Sequence, residues 1–212
     1  MIHIKKFTFN IFQEHTFILY NEHKNAIIID PGFQNSQEEE LFFDFLNKNN
    51  LTPIYLLNTH CHIDHVLGNQ KIYKIYNLPL HIHKNEQVVL NFCTQAANMF
   101  NIQYDVFLGE IKFIDKHTLI NLNDDLFTIL ELPGHSPGSI GFYNQNQSFI
   151  ISGDVLFKES IGRTDLPLGN FDVLMHSINQ NLFNLPDDTL IYAGHGSITT
   201  IEFEKKNNPF LK

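Results

Sequence analysis

The chain has 212 residues, enough for one large domain that hides roughly 70% of its unfolded surface and builds a core without disulfide staples. Hydrophobic residues at 43% and charged residues at 17% exclude a disordered chain and a coiled coil. A formal charge of -9 argues against a surface that tracks a phosphate backbone, so nucleic acid is not expected as a partner.

In chain order, Lys6–Phe9, Thr16–Tyr20 and Ala26–Ile29 are rich in Phe, Ile and Thr and separated by polar turn residues, which predicts three strands. The third stops at Asp30-Pro31-Gly32. A helix is expected from Gln37 to about Lys48, because Ser36 with Glu39 makes a capping box and Leu41, Phe42, Phe45 and Leu46 share a face. The triplet Glu38-Glu39-Glu40 puts favourable charge at its start. Ile54–Leu57 is the next strand, Val66–Tyr76 a helix, Leu80–His83 a short strand, and Glu86 to about Met99 a helix. Strands resume from Ile111 to Ile151. Phe171–Leu182 is helical, and Leu190–Tyr192 is a final strand before a short polar tail. No Pro- or Ser-rich linker divides the chain, so a single domain over 1–212 is expected, with two β-rich halves each followed by helices.

Cys61 and Cys93 are too few for a disulfide framework and form no C-x-x-C pair, which fits a reducing compartment. The chain opens without the features of a secretory signal, and no apolar run approaches the ~18 residues of a membrane span. A cytoplasmic protein with no membrane contact is therefore expected.

Histidine is abundant, with 12 against 14 Lys plus Arg, and its placement is informative. Five apolar runs end just before a His or Asp: Ala26–Ile29 before Asp30, Ile54–Leu57 before His60, Thr128–Leu130 before His135, Phe149–Ile151 before Asp154, and Leu190–Tyr192 before His195. Neighbouring strands bring their ends together, so these residues converge on one rim of a sheet. The densest cluster is His60-Cys61-His62-Ile63-Asp64-His65. In an extended segment His60 and His62 point the same way and can grip one ion, with Cys61 facing the opposite side. Asp64 and His65, at the start of the next helix, face another point. Four ligands from six consecutive residues do not surround one tetrahedral centre without strain, so two metals are the economical reading. His135, His195 and Asp154 are available to complete the two sites with nitrogen and oxygen donors. Zinc fits such a set, as do iron and manganese.

Thr59–His65, Leu132-Pro133-Gly134-His135-Ser136-Pro137-Gly138-Ser139, Ser152-Gly153-Asp154, Ile161-Gly162-Arg163-Thr164-Asp165 and Gly194-His195-Gly196 occur in this order across nearly the whole chain. Together they resemble the metallo-β-lactamase superfamily, and within it the short bacterial form of the hydroxyacylglutathione hydrolases, the glyoxalase II group. The resemblance implies an α/β fold of αββα sandwich type with a binuclear site at one edge. It implies His60, His62 and His135 on one metal, Asp64, His65 and His195 on the other, and Asp154 bridging. It also implies that Asp30 supports the histidines from behind, a role that competes with a simple turn role before Pro31-Gly32. Arg163 corresponds to a cationic residue that contacts a substrate carboxylate; an internal pair with Asp165 is the alternative. The separate C-terminal helical domain of the longer family members is not expected, and only Asn208-Pro209-Phe210-Leu211-Lys212 resembles a piece of that tail.

The activity implied is hydrolysis of a small-molecule thioester, with glutathione as the carrier used in the family. A hydroxide held between two metals attacks the carbonyl, and Asp64 and Asp154 serve as the catalytic carboxylates. Persulfide dioxygenases, which hold one iron and carry a similar Gly-Arg-Thr-Asp stretch, are the competing enzyme class. A lactonase, a lactamase or a non-enzymatic metal-binding protein would stand behind them.

Overall fold

The computed structural model describes residues 1–211, beginning with an antiparallel meander of β1 (His3–Phe9), β2 (Glu14–Tyr20) and β3 (Asn25–Ile29). A crossover through α1 (Ser36–Lys48) returns the chain as β4 (Thr52–Leu57), parallel to β3. Then α2 (Ile63–Val66) and α3 (Asn69–Tyr76) precede β5 (Leu80–Ile82), and α4 (Gln87–Phe100) precedes β6 (Ile111–Phe113), both again parallel. The sheet runs in simple sequence order from β1 to β6.

The second half supplies β7 (Leu119–Leu122), β8 (Asp125–Glu131), β9 (Ile140–Asn144) and β10 (Phe149–Gly153), then a small hairpin of β11 (Leu156–Phe157) and β12 (Ser160–Ile161). It ends with α5 (Phe171–Gln180), β13 (Leu190–Ala193), β14 (Thr199–Thr200) and α6 (Ile201–Asn207). Its six-stranded sheet has the order β14-β13-β10-β9-β8-β7.

Alternation along the strands stacks these parts into four layers. Ile18, Ile28 and Leu56 point from the first sheet toward Phe42, Leu46 and Ile72 of the helices. Their neighbours Phe17, Leu19, Ile27, Ile29 and Leu57 point the other way and meet Phe127, Ile129, Phe142 and Ile151 of the second sheet. Behind that sheet, Ile150 and Ile191 pack on Leu174, Ile178 and Ile201. The result is the αββα sandwich.

Strand direction positions the site. β3 runs parallel to β4, and β10 runs parallel to β13. β8 and β10 are both antiparallel to β9 and so share a direction. Asp30, His60, His135, Asp154 and His195 all follow the C-terminal ends of these strands.

Three local expectations are corrected. The α1 cap is Asn35 rather than Ser36: its side chain accepts the Gln37 and Glu38 amides at 3.0 Å, and Asn is as good a cap as Ser. Glu38 then accepts the Gln34 and Asn10 amides at 2.7 and 2.9 Å, which pins the β1–β2 turn to the helix. The helix expected over Val66–Tyr76 starts earlier and breaks, since the Gly68 amide bonds to the Pro31 carbonyl at 2.7 Å. The polar tail holds β14 and α6, with Ile201 and Glu204 buried.

Asn10, Asn50, Asn77, Asn101 and Asn123 all have φ between 53° and 59°, the left-handed region that asparagine tolerates and most side chains avoid. Asn77, for example, terminates α3 with its amide on the Tyr73 carbonyl at 2.8 Å. Asn77→Ala should therefore lower the unfolding free energy by about 1–2 kcal/mol, with Asn77→Gly close to neutral. Urea unfolding of the two variants measures the difference, and equal midpoints would contradict a strained left-handed cap.

Candidate metal centre

At the shared edge, the donor atoms of His60, His62 and His135 lie within 4.8 Å of one another, as do those of Asp64, His65 and His195. Asp154 stands between the groups. Its Oδ1 is 3.6 Å from His65 Nε2, and its Oδ2 is 3.7 Å from His135 Nε2 and 3.4 Å from His195 Nε2. Asp64 Oδ2 is 3.3 Å from His195 Nε2, while His62 Nδ1 and His135 Nε2 approach to 2.9 Å. All seven residues singled out as ligands are thus brought together.

The outer nitrogens of three imidazoles are engaged from behind. His65 Nδ1 donates to Asp30 Oδ2 at 3.1 Å, and His135 Nδ1 donates to the Arg163 carbonyl at 2.7 Å. Thr59 Oγ1 donates to Asp30 Oδ2 at 2.6 Å and accepts from His60 Nδ1 at 3.1 Å. These bonds turn the Nε2 atoms inward. His60 Nε2, His65 Nε2 and Asp154 Oδ1 are buried there without a hydrogen-bond partner. Orphaned buried polar atoms of this kind, converging as two nitrogen and oxygen sets with no thiolate, fit divalent cations.

The two groups differ electrostatically. Burial holds the His60 imidazole well below its ordinary pKa, and burial with the adjacent His135 lowers His62 to about 3, so these two rings stay neutral. In the other, burial opposes charge but carboxylates overcome it: bonds to Asp154 and Asp64 raise His195 to about 9, and the charges of Asp64 and Asp154 raise His65 well above its usual value. Burial likewise works against ionised Asp154, yet the His65 charge and the His195 bond keep its carboxyl well below the normal range. The carboxylate pair draws positive charge to its half of the site.

Close backbone approach makes the strand-end glycines necessary. A Cβ at Gly194 would sit 2.2 Å from Asp154 Oδ1, and one at Gly153, where φ is +58°, would sit 2.4 Å from Thr59 Oγ1. Any side chain there would displace site residues.

Arg163 forks over Asp165, with Nε–Oδ1 at 2.8 Å and Nη2–Oδ2 at 2.7 Å, in a pair more than 60% exposed on both sides. Cys61 is fully buried in the core between the first sheet and its helices. His81 and His83 serve the backbone: His81 Nδ1 donates to the Leu56 carbonyl at 3.2 Å, and His83 Nδ1 accepts the Asn85 amide at 3.3 Å.

Sequence reading missed three supports. His15 donates its amide to the Gly194 carbonyl at 2.7 Å and its Nδ1 hydrogen to the Ala193 carbonyl at 3.0 Å, which clamps the turn carrying His195. Asn58 donates to Asp30 Oδ1 at 3.1 Å and to the His65 carbonyl at 2.8 Å. Glu86, read only as a helix start, accepts three hydrogen bonds from the ligand loops. None had a sequence signal, because each acts on residues from another element.

Asp30 is fully buried, has φ of +51°, and accepts from Thr59 N, Thr59 Oγ1, Asn58 Nδ2 and His65 Nδ1. Asp30→Ala leaves those donors unpaired and should reduce stability by about 3–5 kcal/mol in chelator-treated protein, read by urea unfolding. A loss below about 1 kcal/mol would mean that these bonds do not hold the site together.

The match to known proteins agrees with this geometry. Residues 11–195 match the family model of the metallo-beta-lactamase superfamily. The chain is 37% identical to hydroxyacylglutathione hydrolase GloC of Haemophilus influenzae over 94% of its own length and 93% of that protein's. The crystal structure of the BLEG-1 B3 metallo-beta-lactamase superimposes with a TM-score of 0.90 at 32% identity, covering 99% of each chain. A protein crystallised in a di-iron-bound form superimposes at 0.88 and 29% identity, covering 98% of this chain and 100% of that one. With the sandwich fold and the clustered histidines and aspartates at its edge, this similarity shows that the chain belongs to the metallo-beta-lactamase superfamily.

Proposed function

We propose that the chain is a binuclear metal-dependent hydrolase that cleaves a hydroxyacyl thioester of glutathione, of the S-lactoylglutathione type, to a hydroxy acid and a free thiol. The observation that carries this reading is Asp154 lying between two groups of nitrogen and oxygen donors. His60, His62 and His135 would hold one divalent cation, Asp64, His65 and His195 the other, and Asp154 would serve both. Zinc suits these donors, and iron and manganese accept the same set. Similarity to hydroxyacylglutathione hydrolase GloC supports thioester chemistry. The chain acts as one catalytic domain. Both cysteines are free and buried, which fits a reducing cytoplasm. No helix among the described residues is long and apolar enough to cross a membrane.

Bound divalent cations supply Lewis acidity at a thioester carbonyl and lower the pKa of water from about 15.7 toward roughly 7. The protein's own residues orient and hold charge. Asp30, acting on His65 directly and on His60 through Thr59, fixes the imidazoles of both groups. Asp154 lies between the two donor groups and Asp64 belongs to one of them, where their carboxylates would orient the attacking water by accepting its hydrogen bonds, its proton passing to solvent. The leaving side needs no acid, because a thiol with pKa near 8.5 departs readily as thiolate.

Protein purified without chelator should carry about two ions per chain, and its zinc form should release free thiol from S-lactoylglutathione under strict anaerobiosis. Asp154→Asn keeps the shape, removes a charge, and should cut turnover by several orders of magnitude while the fold persists. Activity confined to an iron form, with oxygen uptake on glutathione persulfide, would replace the hydrolase with a dioxygenase. Turnover of β-lactams alone would make the chain a lactamase.

Arg163 is assigned to the substrate carboxylate. Its pair with Asp165 is exposed and easily exchanged, so Arg163→Ala should leave the melting temperature nearly unchanged. KM should rise roughly ten- to hundredfold, the loss expected for a charge-assisted hydrogen bond. A marked drop in melting temperature at constant KM would assign Arg163 to the fold instead.

A further inference from the structure

Glu86 ends the turn Lys84–Glu86 and leads into α4, and none of its surface reaches solvent. Among the described residues, no Lys, Arg or His neutralises its carboxylate. Oε2 instead accepts the Cys61 amide at 2.7 Å, while Oε1 accepts the Ser136 hydroxyl at 2.6 Å and the Gly138 amide at 2.7 Å. Cys61 lies between His60 and His62, and Ser136 follows His135. One side chain therefore bonds both loops that carry the three-histidine group. Gly138 leaves room for this approach: a Cβ there would be 3.0 Å from Glu86 Cγ and 2.7 Å from His83 Nδ1.

Burying a carboxylate without a counter-charge is costly, and apolar contacts could dock α4 on these loops without it. Apolar contacts do not fix direction or spacing. Three short, charge-assisted hydrogen bonds do both. The spacing is demanding here, because His60, His62 and His135 have ring centroids only 4.6 to 5.0 Å apart.

We propose that Glu86 is a positioning residue for the His60, His62 and His135 group, holding its two loops at metal-binding spacing before a cation arrives. The inference rests on the reading of those histidines as metal ligands. Glu86→Gln preserves size but offers a single acceptor oxygen, so it cannot serve Cys61 together with Ser136 and Gly138. Ser136→Ala removes one donor and leaves two.

The test is equilibrium binding of Zn²⁺ against a competing chelator, with Co²⁺ absorption reporting the coordination. Glu86→Gln should weaken one of the two ions about ten- to hundredfold and leave the other unchanged. Ser136→Ala should weaken the same ion by less. In a His62→Ala background the Glu86→Gln effect should vanish, whereas in a His195→Ala background it should persist. Equal weakening of both ions, or none, would overturn the proposal. If Glu86→Gln does not fold, Ser136→Ala in the same two backgrounds decides the matter by the same criteria. Wild-type metal binding that is indifferent to His62→Ala would instead remove the metal assignment itself.

Discussion

Crowding of ionisable groups out of water is the constraint on which the rest of this structure depends. Imidazole centroids as close as 4.1 Å, with two carboxylates among them, sit at an edge where most of the side chains are buried. Such an array is unstable by itself, since desolvation disfavours charge and the neutral His60 and His62 rings have no reason to converge. The strands bring the residues to the edge, but strands alone do not aim them. Aiming falls to polar groups behind the array. Asp30 serves His65 directly and His60 through Thr59, the Arg163 carbonyl serves His135, and His15 clamps the turn before His195.

This division explains what could be read from the sequence. The donor residues were legible because each follows an apolar run at a turn, and because His60–His65 packs four donors into a spacing that strand and helix geometry separate into two groups. Fold class followed from the same ordered motifs. Asp30 was legible as a strand-end acid, although only the structure reveals its four donors. Glu86 was not, for its partners lie 25, 50 and 52 positions away and an acid at a helix start already has a local explanation. His15 bonds a carbonyl 178 positions away, beyond any local pattern. Likewise, α6 has only seven residues, too few for a periodic signal, and is held instead by the buried Glu204 and by Asn208 Nδ2 on the Ser160 carbonyl at 3.0 Å.

The donor arrangement does not by itself choose the reaction. Similar chains carry the names hydroxyacylglutathione hydrolase and B3 metallo-beta-lactamase, so likeness over the whole fold does not fix the substrate. The two ends of Arg163 have separate partners. Its carbonyl accepts from His135 Nδ1, whereas its guanidinium forks over exposed Asp165. An exposed pair is held weakly, so an incoming carboxylate can take the guanidinium from Asp165 at little cost, and the backbone bond that orients His135 is unaffected by the exchange. A change of side chain at position 163 therefore leaves in place the backbone carbonyl that orients His135, because that bond does not involve the guanidinium.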